Sequence, residues 1–589
     1  MESKSFKKQK DGRNTMKKQL VSLLLILCMT LAVFSLASCD KGGKNDVTAA
    51  PVTTEPVASA DNTTAEATTT DKWEKLAPNV KIITEKERSL RFELSNHTTA
   101  EKSSKNDIYL KGPDTVEDGV TPKIQQMVYE RNKTANDLLG TKIDYDFWDG
   151  GMGSLAERMD LVIKGKASDA PDLFVNMLFE LSREMLNGGF KDVWSIPNSF
   201  FDFDSDGWLK EWMENLSFSR ERAYILGSDY FLDVFRAIPV LPFNVDMMNE
   251  NAVKLAPAIL EDGEALGTDE KLTPRFFDLV ERGDWTWDVL GELCEAIWVD
   301  KDTDGADSIN DQLGILADEF GEGGQCACSF IYSCGEELTV AYPIEDESSA
   351  YNNRQWLKYA DTSEGLNRIF DAVKSVIDGA GSLSTNYTHA GNSPDQPGIA
   401  YHQTKFAAGE VLFAGAQLLG ALEDEVFQNM EDLYSVVPLP KTDSTKSYNS
   451  IVYSTGDAGS INVNVKPAKG KALTAYLQYC TEHSPAIREQ FLQIVMKYKV
   501  TTYDQGTDRM LNTIYASILW GRDKLVDDLA GVSSNRWHSF MRLQHFAAGS
   551  DYISTQYATY RASKQSELDK IMQKWYTLPK TGDTGVTGN

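Results

Sequence analysis

Strand and helix patterns alternate along the first part of the folded chain, and this order constrains the fold more than any other feature. A short strand pattern at 90–94 precedes a helical pattern that opens at Thr121-Pro122 and ends at Gly140. The segment KIDYDFWDGG at 142–151 alternates apolar and acidic residues before two glycines, which is typical of a half-exposed strand and a turn. After another helical stretch at 155–164, APDLFVNM at 170–177 has the pattern of a buried strand. This order predicts a mostly parallel sheet covered by helices.

The length of the folded part predicts more than one lobe. About 500 residues, from 80 to 578, have globular composition, and a stretch of this length is too long for one hydrophobic core. In open parallel sheets, ligands lie in the crevice beyond the carboxyl ends of the strands. We therefore expect Trp148, Asp149 and Asn176, which end two of the predicted strands, to lie near a ligand cleft.

The first 39 residues have the pattern of a secretory signal. Lys17 and Lys18 precede an uncharged apolar run at 20–36, and small residues lead to Cys39. A single transmembrane anchor is the alternative. The tetrapeptide LASC at 36–39 resembles the lipobox of bacterial lipoproteins, which implies that Cys39 is lipidated and becomes the N-terminus. We expect translation to start at Met16, and residues 1–39 to form the lipoprotein signal peptide.

A disordered linker is expected to follow the signal, over residues 40–79. Its first 32 residues contain eight Thr, six Ala and no aromatic residue, so they bury too little apolar surface to fold. The formal net charge of the whole chain is -28, and a surface this acidic repels nucleic acids and anionic membranes. The lipid is therefore the expected attachment to the outer face of the bacterial cytoplasmic membrane.

Six later segments carry a family resemblance through their order. They are APDLF at 170–174, PFNVDMM at 242–248, GDWTWDVL at 283–290, KFAAGEVLF at 405–413, VVPLPK at 436–441 and SINVNVKPAKGKALTAYLQYC at 460–480. In this order they resemble the family 1 extracellular solute-binding proteins of ABC transporters, which include maltodextrin- and oligosaccharide-binding proteins. The resemblance implies a two-lobed α/β fold of the type II periplasmic-binding-protein kind, with hinge strands crossing between lobes and a sugar in the cleft.

The resemblance also implies a division of the chain. It places an N-terminal lobe at 80–240, a C-terminal lobe at 241–455, a return to the first lobe at 456–505, C-terminal helices at 506–578 and a disordered tail at 579–589. The region 342–403 has no counterpart in the family pattern, and extra loops there could reshape the cleft.

Candidate ligand contacts come from chemistry and from the resemblance. Sugars are bound by flat aromatic faces and by planar polar groups. Trp148, Asp149 and Asn176 are candidates by their strand ends, with core packing as the alternative. Family positions add Gln417, Asp457, Trp520 and Trp537. In the same family the pair Trp285 and Trp287 mostly packs, and Asn244 is expected to be a hinge or capping residue.

The run DKDTDGADSIND at 300–311 indicates a different kind of site. Oxygen ligands fall at positions 1, 3, 5, 9 and 12 of an EF-hand-like loop, with Gly305 at the turn position. Asp307 at the usually apolar position 8, and an aspartate at position 12, favour the alternative of a solvated acidic turn. The tentative calcium ligands are Asp300, Asp302, Asp304, Ser308 and Asp311.

Catalysis has little support in the sequence. The six histidines form no H-E-x-x-H motif, and no G-x-S-x-G or P-loop sequence occurs. Two carboxylates of a glycoside hydrolase could still meet in space. Cys294, Cys326, Cys328, Cys334 and Cys480 have no metal-ligand spacing and are expected to be buried thiols.

The sequence thus predicts a monomeric, lipid-anchored extracellular protein that needs no cofactor, with structural calcium as an option. The resemblance implies that it captures a carbohydrate, namely an oligosaccharide, and delivers it to an ABC permease. A surface glycoside hydrolase, or a binding protein for a non-sugar solute such as a peptide, are the alternatives.

Overall fold

The computed structural model describes most of the chain after residue 62. The described residues are 63–98, 103–148, 154–218, 220–303, 305–318, 325–385, 392–393, 396–397, 401–497, 505–518, 522–529 and 550–578. In this part of the chain, every helix is too short or too polar to cross a bilayer.

Fourteen strands lie in the described residues. They are β1 (Ser89–Ser95), β2 (Lys142–Trp148), β3 (Leu173–Met177), β4 (Pro239–Asn244), β5 (Leu313–Asp318), β6 (Thr339–Pro343), β7 (Gln355–Tyr359), β8 (Ser382–Thr385), β9 (Asn392–Ser393), β10 (Gln396–Pro397), β11 (Val411–Phe413), β12 (Gln417–Leu418), β13 (Tyr434–Val437) and β14 (Asp457–Ile461).

The α-helices of the described residues follow in chain order. They are α1 (Thr63–Lys81), α2 (Glu85–Arg88), α3 (Lys123–Leu139), α4 (Leu155–Ile163), α5 (Leu178–Leu186), α6 (Lys210–Asn215), α7 (Asp233–Arg236), α8 (Val245–Glu250), α9 (Ala252–Ile259), α10 (Thr273–Arg282), α11 (Trp287–Ile297), α12 (Gln325–Ser333), α13 (Glu364–Ile377), α14 (Tyr401–Ala407), α15 (Glu425–Gln428), α16 (Pro467–Glu482), α17 (Pro485–Lys497), α18 (Gln505–Ala516), α19 (Arg522–Leu529) and α20 (Ser550–Thr577).

The first sheet has the strand order β14-β3-β1-β2. β1 pairs in parallel with β2 and with β3, whereas β14 is antiparallel to β3. All five residues of β3 are buried, while β2 is an edge strand with Phe147 37% exposed. The alternation that predicted a half-exposed strand at 142–148 is therefore confirmed, as is the parallel arrangement of the three strands.

The second sheet has the order β12-β4-β11-β5-β8, with β13 also on β4. β5 is parallel to β11 and β8, and β4 is antiparallel to its neighbours. The chain enters this sheet at β4 after completing β1 to β3, and returns to the first sheet only at β14. It therefore crosses twice between two α/β sheets, which is the predicted two-lobed fold class.

We call the first sheet with its helices α2 to α5, α16 and α17 the first half, and the second sheet with its helices α8 to α15 and α18 the second half. Most buried apolar residues of both halves belong to one continuous core, and Leu313, Leu316 and Val411 form a small separate cluster in the second sheet. The predicted boundary at 240 falls within β4, and the predicted boundary at 456 immediately precedes β14.

The region 342–403, which the family pattern leaves unplaced, begins at a hairpin. β6 and β7 pair in antiparallel from Thr339 with Tyr359 to Pro343 with Gln355. α13 follows and packs on α11, whose own partners include β5. The hairpin and α13 therefore belong to the second half.

The expected linker at 40–79 is too long, and this boundary is corrected. α1 begins at Thr63, and the Trp73 side chain is fully buried against Phe200 and Tyr479. Its indole Nε1 donates to Glu482 Oε2 at 2.6 Å. The composition of the Thr/Ala-rich stretch does not predict this helix, because Trp73, the large apolar residue that is buried, lies just beyond the stretch.

Candidate functional site

The carboxyl ends of β1, β2 and β3 meet at one edge of the first sheet, which we call the carboxyl edge. Ser95, the last residue of β1, is in register with Trp148 at the end of β2. Met177 at the end of β3 is in register with Asp457, where the antiparallel β14 begins. The structure thus brings Trp148, Asn176 and Asp457 to the same edge, as the sequence analysis expects of the first two.

Asp457 is fully buried in a polar cluster at this edge. Its Oδ2 accepts hydrogen bonds from Asn106 Nδ2 at 2.6 Å and from Ser104 Oγ at 2.5 Å. His97 Nδ1 lies 3.6 Å from Oδ1, and the Asp457 backbone N–H donates to Asp233 Oδ2 at 2.8 Å. Protein donors therefore surround this carboxylate, and its role in the structure is to join the segment after β1 to the return strand.

Among the predicted ligand contacts that the structure describes, Trp148 is the least buried and the one aromatic side chain. It is half-buried, and its indole Nε1 donates to Ser154 Oγ at 3.0 Å. The hydrogen bond fixes the orientation of the ring while part of its surface stays accessible. Asp149, predicted beside it, lies outside the described residues.

Two predicted amides are buried. Asn176 Oδ1 accepts the backbone N–H of Met177 at 2.7 Å, which stabilises the end of β3. Gln417 Nε2 donates to Ala414 O at 3.1 Å, and its Oε1 accepts from Gln403 Nε2 at 2.8 Å. Gln417 follows a turn in which Gly415 adopts φ +69°, so the amide is held inside the second sheet.

The remaining predicted residues divide into two groups. Trp520 and Trp537 lie outside the described residues. Trp285 and Trp287 are buried, and the Asn244 side chain caps α8 by accepting from the backbone N–H of Met247 at 2.8 Å. These last three structural roles are those that the sequence predicts.

A buried charge network beside the carboxyl edge escaped the sequence analysis. Arg236 Nε donates to Glu423 Oε1 at 2.7 Å, and Arg236 Nη1 donates to Asp233 Oδ1 at 2.6 Å. Glu423 Oε2 also accepts from Lys105 Nζ at 2.5 Å and from Tyr109 Oη at 2.8 Å. Asp233 is thus shared with the Asp457 cluster. The only sequence signal is the i,i+3 spacing of Asp233 and Arg236 on α7.

The network joins the two halves electrostatically. Lys105 and Tyr109 follow β1 in the first half, whereas Glu423 follows β12 in the second half. Burial raises the pKa of the Glu423 carboxyl, but the Arg236 and Lys105 charges outweigh burial and hold this pKa below its usual value. Glu423 is therefore an anion at neutral pH, held by cations from two other segments.

A second polar contact lies near the same crossing. Arg488 on α17 forms an ion pair with the buried Asp229, in which Nη1 alone donates to Oδ1 at 3.1 Å and to Oδ2 at 3.0 Å. The Arg488 guanidinium also lies 4.0 Å from the ring centroid of Tyr515 on α18, and Tyr515 stacks on Phe235 at 5.2 Å. Because α17 packs on α3 and α18 packs on α10 and β13, this contact also spans both halves.

A hollow of about 750 Å³ opens at the opposite edge of the first sheet. Its lining includes Ser89 and Lys142, which begin β1 and β2, and Gly140 and Thr141 just before β2. It therefore lies at the amino ends of the strands, away from the predicted ligand cleft.

The predicted calcium loop folds compactly around its own acidic side chains. Carboxylate oxygens of Asp300, Asp302 and Asp311 lie within 4.8 Å of one another. Thr303 and Gly305 adopt φ +62° and +79°, and Ser308 Oγ donates to Asp302 Oδ2 at 2.9 Å. Asp304 lies outside the described residues. The arrangement brings three of the five predicted ligands together.

Asp311 is the most buried of the predicted ligands that the structure describes in this loop. It is 1% exposed and accepts the backbone N–H groups of Lys301 and Ser308, each at 2.8 Å. Burial raises the pKa of Asp311, but these backbone donors have the larger combined effect and lower the pKa below its usual value. The carboxylate is therefore charged at neutral pH with or without a cation.

Comparison with known proteins gives structural similarity only. No protein-family model and no curated protein sequence matches the chain. Among solved structures, an ABC substrate-binding protein from Listeria monocytogenes in complex with cycloalternan shares 11% identity, with a TM-score of 0.43, 82% of this chain and 99% of that chain covered.

Two further solved structures have similar values. The galacto-N-biose-/lacto-N-biose I-binding protein of the ABC transporter from Bifidobacterium longum has 12% identity and a TM-score of 0.43, with 82% of this chain and 97% of that chain covered. UgpB from Mycobacterium tuberculosis, in complex with glycerophosphocholine, has 11% identity and a TM-score of 0.43, with 77% and 96% covered.

Proposed function

We propose that the protein is an extracellular solute-binding protein that captures a carbohydrate between its two halves and delivers it to an ABC-type permease. The observation that carries this proposal is the double crossing of the chain between two α/β sheets. Such crossings allow two halves to close on a ligand, and the ligand shifts the equilibrium by binding the closed form better.

The chemistry at the carboxyl edge supports a sugar as the solute. Trp148 offers a partly accessible aromatic face held by a hydrogen bond, which suits the C–H face of a pyranose ring. Micromolar affinity corresponds to about -8 kcal/mol, which a few stacked rings and paired hydrogen bonds supply. No chemical step is needed for this role.

Binding without catalysis is favoured by the state of Asp457. A glycoside hydrolase needs two carboxyl groups that reach the scissile bond. The Asp457 carboxylate is instead enclosed and already bonded to Ser104 and Asn106. We therefore propose that the protein is not an enzyme and that it needs no cofactor.

Attachment to the membrane is proposed to occur through lipid on Cys39. The segment between Cys39 and the start of α1 at Thr63 has 23 residues, and a flexible coil of this length would span about 25 Å on average. The binding halves would then stay beside a permease at the outer face of the cytoplasmic membrane, as monomers.

Paired variants on β2 test the sugar site. Trp148→Ala should weaken oligosaccharide binding at least tenfold, because it removes the aromatic platform. The neighbouring Phe147→Ala is the matched control, since Phe147 is 37% exposed and projects to the opposite face of the same strand. Isothermal titration calorimetry, after a thermal-shift panel of sugars and peptides, measures both.

The same panel of sugars and peptides, assayed for both thermal shift and hydrolysis, separates a sugar-binding protein from a hydrolase and from a binding protein for another solute. Release of reducing ends from an oligosaccharide would identify a hydrolase, and a thermal shift with peptides alone would identify a different solute class. Equal affinity of both variants for a bound sugar would show that the carboxyl edge of the first sheet is not the binding site.

A further inference from the structure

The last helix, α20, is fixed to the second half along most of its length. Tyr557 Oη donates to Ala360 O at 2.8 Å, and Arg561 pairs with Asp361 at 2.6 Å. Further along, Asp569 Oδ1 accepts from Trp356 Nε1 at 2.9 Å. The helix therefore runs along the hairpin strand β7 and the residues that follow it.

Gln565 makes this contact specific. Its Oε1 accepts the backbone N–H of Tyr359 at 3.0 Å, and its Nε2 donates to Leu357 O at 3.1 Å. β7 is bonded to β6 on its other side, so this one side chain pairs the free edge of the hairpin. The hairpin and the helix are consequently one unit.

The last turn of α20 leaves the second half and enters the first. Trp575 is fully buried and makes edge contacts with Phe218 at 5.1 Å and Tyr224 at 5.4 Å. Arg222 Nη1 donates to Trp575 O at 3.2 Å, and Lys574 Nζ donates to Asn187 Oδ1 at 2.7 Å. The indole is therefore anchored in a pocket with polar contacts around it.

That pocket belongs to the first half. Asn187 directly follows α5, which packs on β3 and β14. Tyr224 O accepts from Ser460 Oγ of β14 at 3.0 Å, and Leu226 and Gly459 exchange two backbone hydrogen bonds. The 28-residue helix is about 42 Å long, enough to reach from one half to the other.

The hairpin makes its own contact with the first half. Arg354, in the turn between β6 and β7, forms an ion pair with Glu221 at 3.0 Å. Tyr576 lies beneath this pair, stacked on Trp356 with a centroid distance of 5.9 Å and 5.5 Å from the Arg354 guanidinium. Ion pair and aromatic stack thus meet where α20 passes between the halves.

We propose that α20 and the β6–β7 hairpin form a strap that fastens the second half to the first, with Trp575 as its anchor. Opening of the two halves requires the anchor to leave its pocket and the Arg354–Glu221 pair to separate. The strap therefore sets how often the protein opens in the absence of ligand.

This inference rests on the proposed function for its consequence. A ligand that binds the closed form gains apparent affinity in proportion to the population of that form. The strap raises this population before any solute arrives, so it tightens binding without contacting the solute. Loosening the strap should accelerate solute release.

Small-angle X-ray scattering of the full chain without sugar tests the strap itself. Trp575→Ala should increase the average radius of gyration, because loss of this anchor removes one of the contacts between the halves and raises the population of the open form. Arg275→Ala is the matched control, because Arg275 lies on α10 outside the strap and its partner Glu270 belongs to the same half, so it should leave the radius unchanged. All variants carry the same N-terminal residues, so differences report on the folded part.

A milder variant guards against misfolding of Trp575→Ala. Arg354→Ala combined with Lys574→Ala removes two exposed contacts that span the halves, and should raise the radius in the same direction by less. An unchanged radius in both cross-half variants would overturn the strap, whether or not any sugar binds.

Calorimetry with a sugar identified by the binding panel then tests the consequence. The double variant should bind that sugar a few-fold more weakly, and Arg275→Ala should bind it like the wild type. A raised radius with unchanged affinity would keep the strap and overturn its role in solute capture. If no solute in the panel binds, the scattering result alone decides whether the strap exists.

Discussion

At the level of single residues, Glu423 is a buried carboxylate that contacts residues of both halves. Its carboxylate accepts from Arg236, Lys105 and Tyr109, and these donors come from segments far apart in sequence. The side chain is 7% exposed, so its charge is compensated by protein groups and hardly by water. Such a buried pair stabilises a specific arrangement only while every member is present.

Replacing this carboxylate should be costly. Glu423→Gln keeps the shape but removes the charge, and it leaves the Arg236 guanidinium with Asp233 as its one remaining carboxylate in the network. We expect a loss of about 3–5 kcal/mol in the free energy of unfolding. Urea denaturation followed by circular dichroism measures this loss.

A surface pair provides the control for that prediction. Glu261 lies 3.4 Å from Arg282, and its side chain is 63% exposed. Glu261→Gln should change the free energy of unfolding by less than about 1 kcal/mol. Similar losses for the two variants would contradict a special role of the buried network.

Residue roles could be predicted from sequence where the cause is local. Asn244 was expected to be a capping or hinge residue, and it caps the helix that begins at the next position. Glu423 and Arg236 could not be paired in advance, because their segments meet only when β12 pairs with β4. Asp457 was predicted to line the cleft because it occupies a family position. Its hydrogen-bond partners Ser104, Asn106 and Asp233 belong to no recognisable motif, so its burial could not be predicted.

At the scale of elements, the loop at 300–311 shows how far a local pattern reaches. The acidic spacing predicts a compact loop, and three of its carboxylates do converge. The hydrogen bonds from Lys301 and Ser308 already satisfy Asp311, so the loop folds without needing a cation for this residue. Structural calcium therefore remains a proposal for the loop.

Calcium titration tests that proposal. If the loop binds Ca²⁺, protein stripped with a chelator should melt a few degrees lower than protein in excess calcium, since a ligand that binds only the folded state stabilises it. Asp302→Asn should abolish the difference, and the exposed Asp262→Asn should preserve it. Equal melting temperatures of wild type with and without calcium would exclude a structural cation.

Elements whose stability comes from distant partners were the ones missed. α1 lies within a stretch whose composition predicts a linker, yet Trp73 is buried because Glu482 and Tyr479 of α16 receive it. Most of the β6–β7 hairpin falls in the region without a counterpart in the family pattern, and its free edge is likewise completed by a distant residue, Gln565 of α20. Local composition contains no information about such partners.

At the scale of the whole molecule, the order of short segments was sufficient to predict two α/β halves. Each segment corresponds to a strand or helix that builds one sheet or carries the chain between sheets, so their order encodes the two crossings. The order of segments did not predict that α20 extends into the first half. That contact depends on the length of this helix and on the pocket that holds Trp575.

The proposed function places a bound carbohydrate between the halves at the carboxyl edge of the first sheet. Hydrogen exchange of the full chain, with and without a saturating oligosaccharide, tests this placement. We expect the sugar to slow exchange at 95–98, 103–106 and 142–148 in the first half together with 413–418 in the second. A sugar that saturates the protein yet leaves exchange at all of these residues unchanged would contradict it.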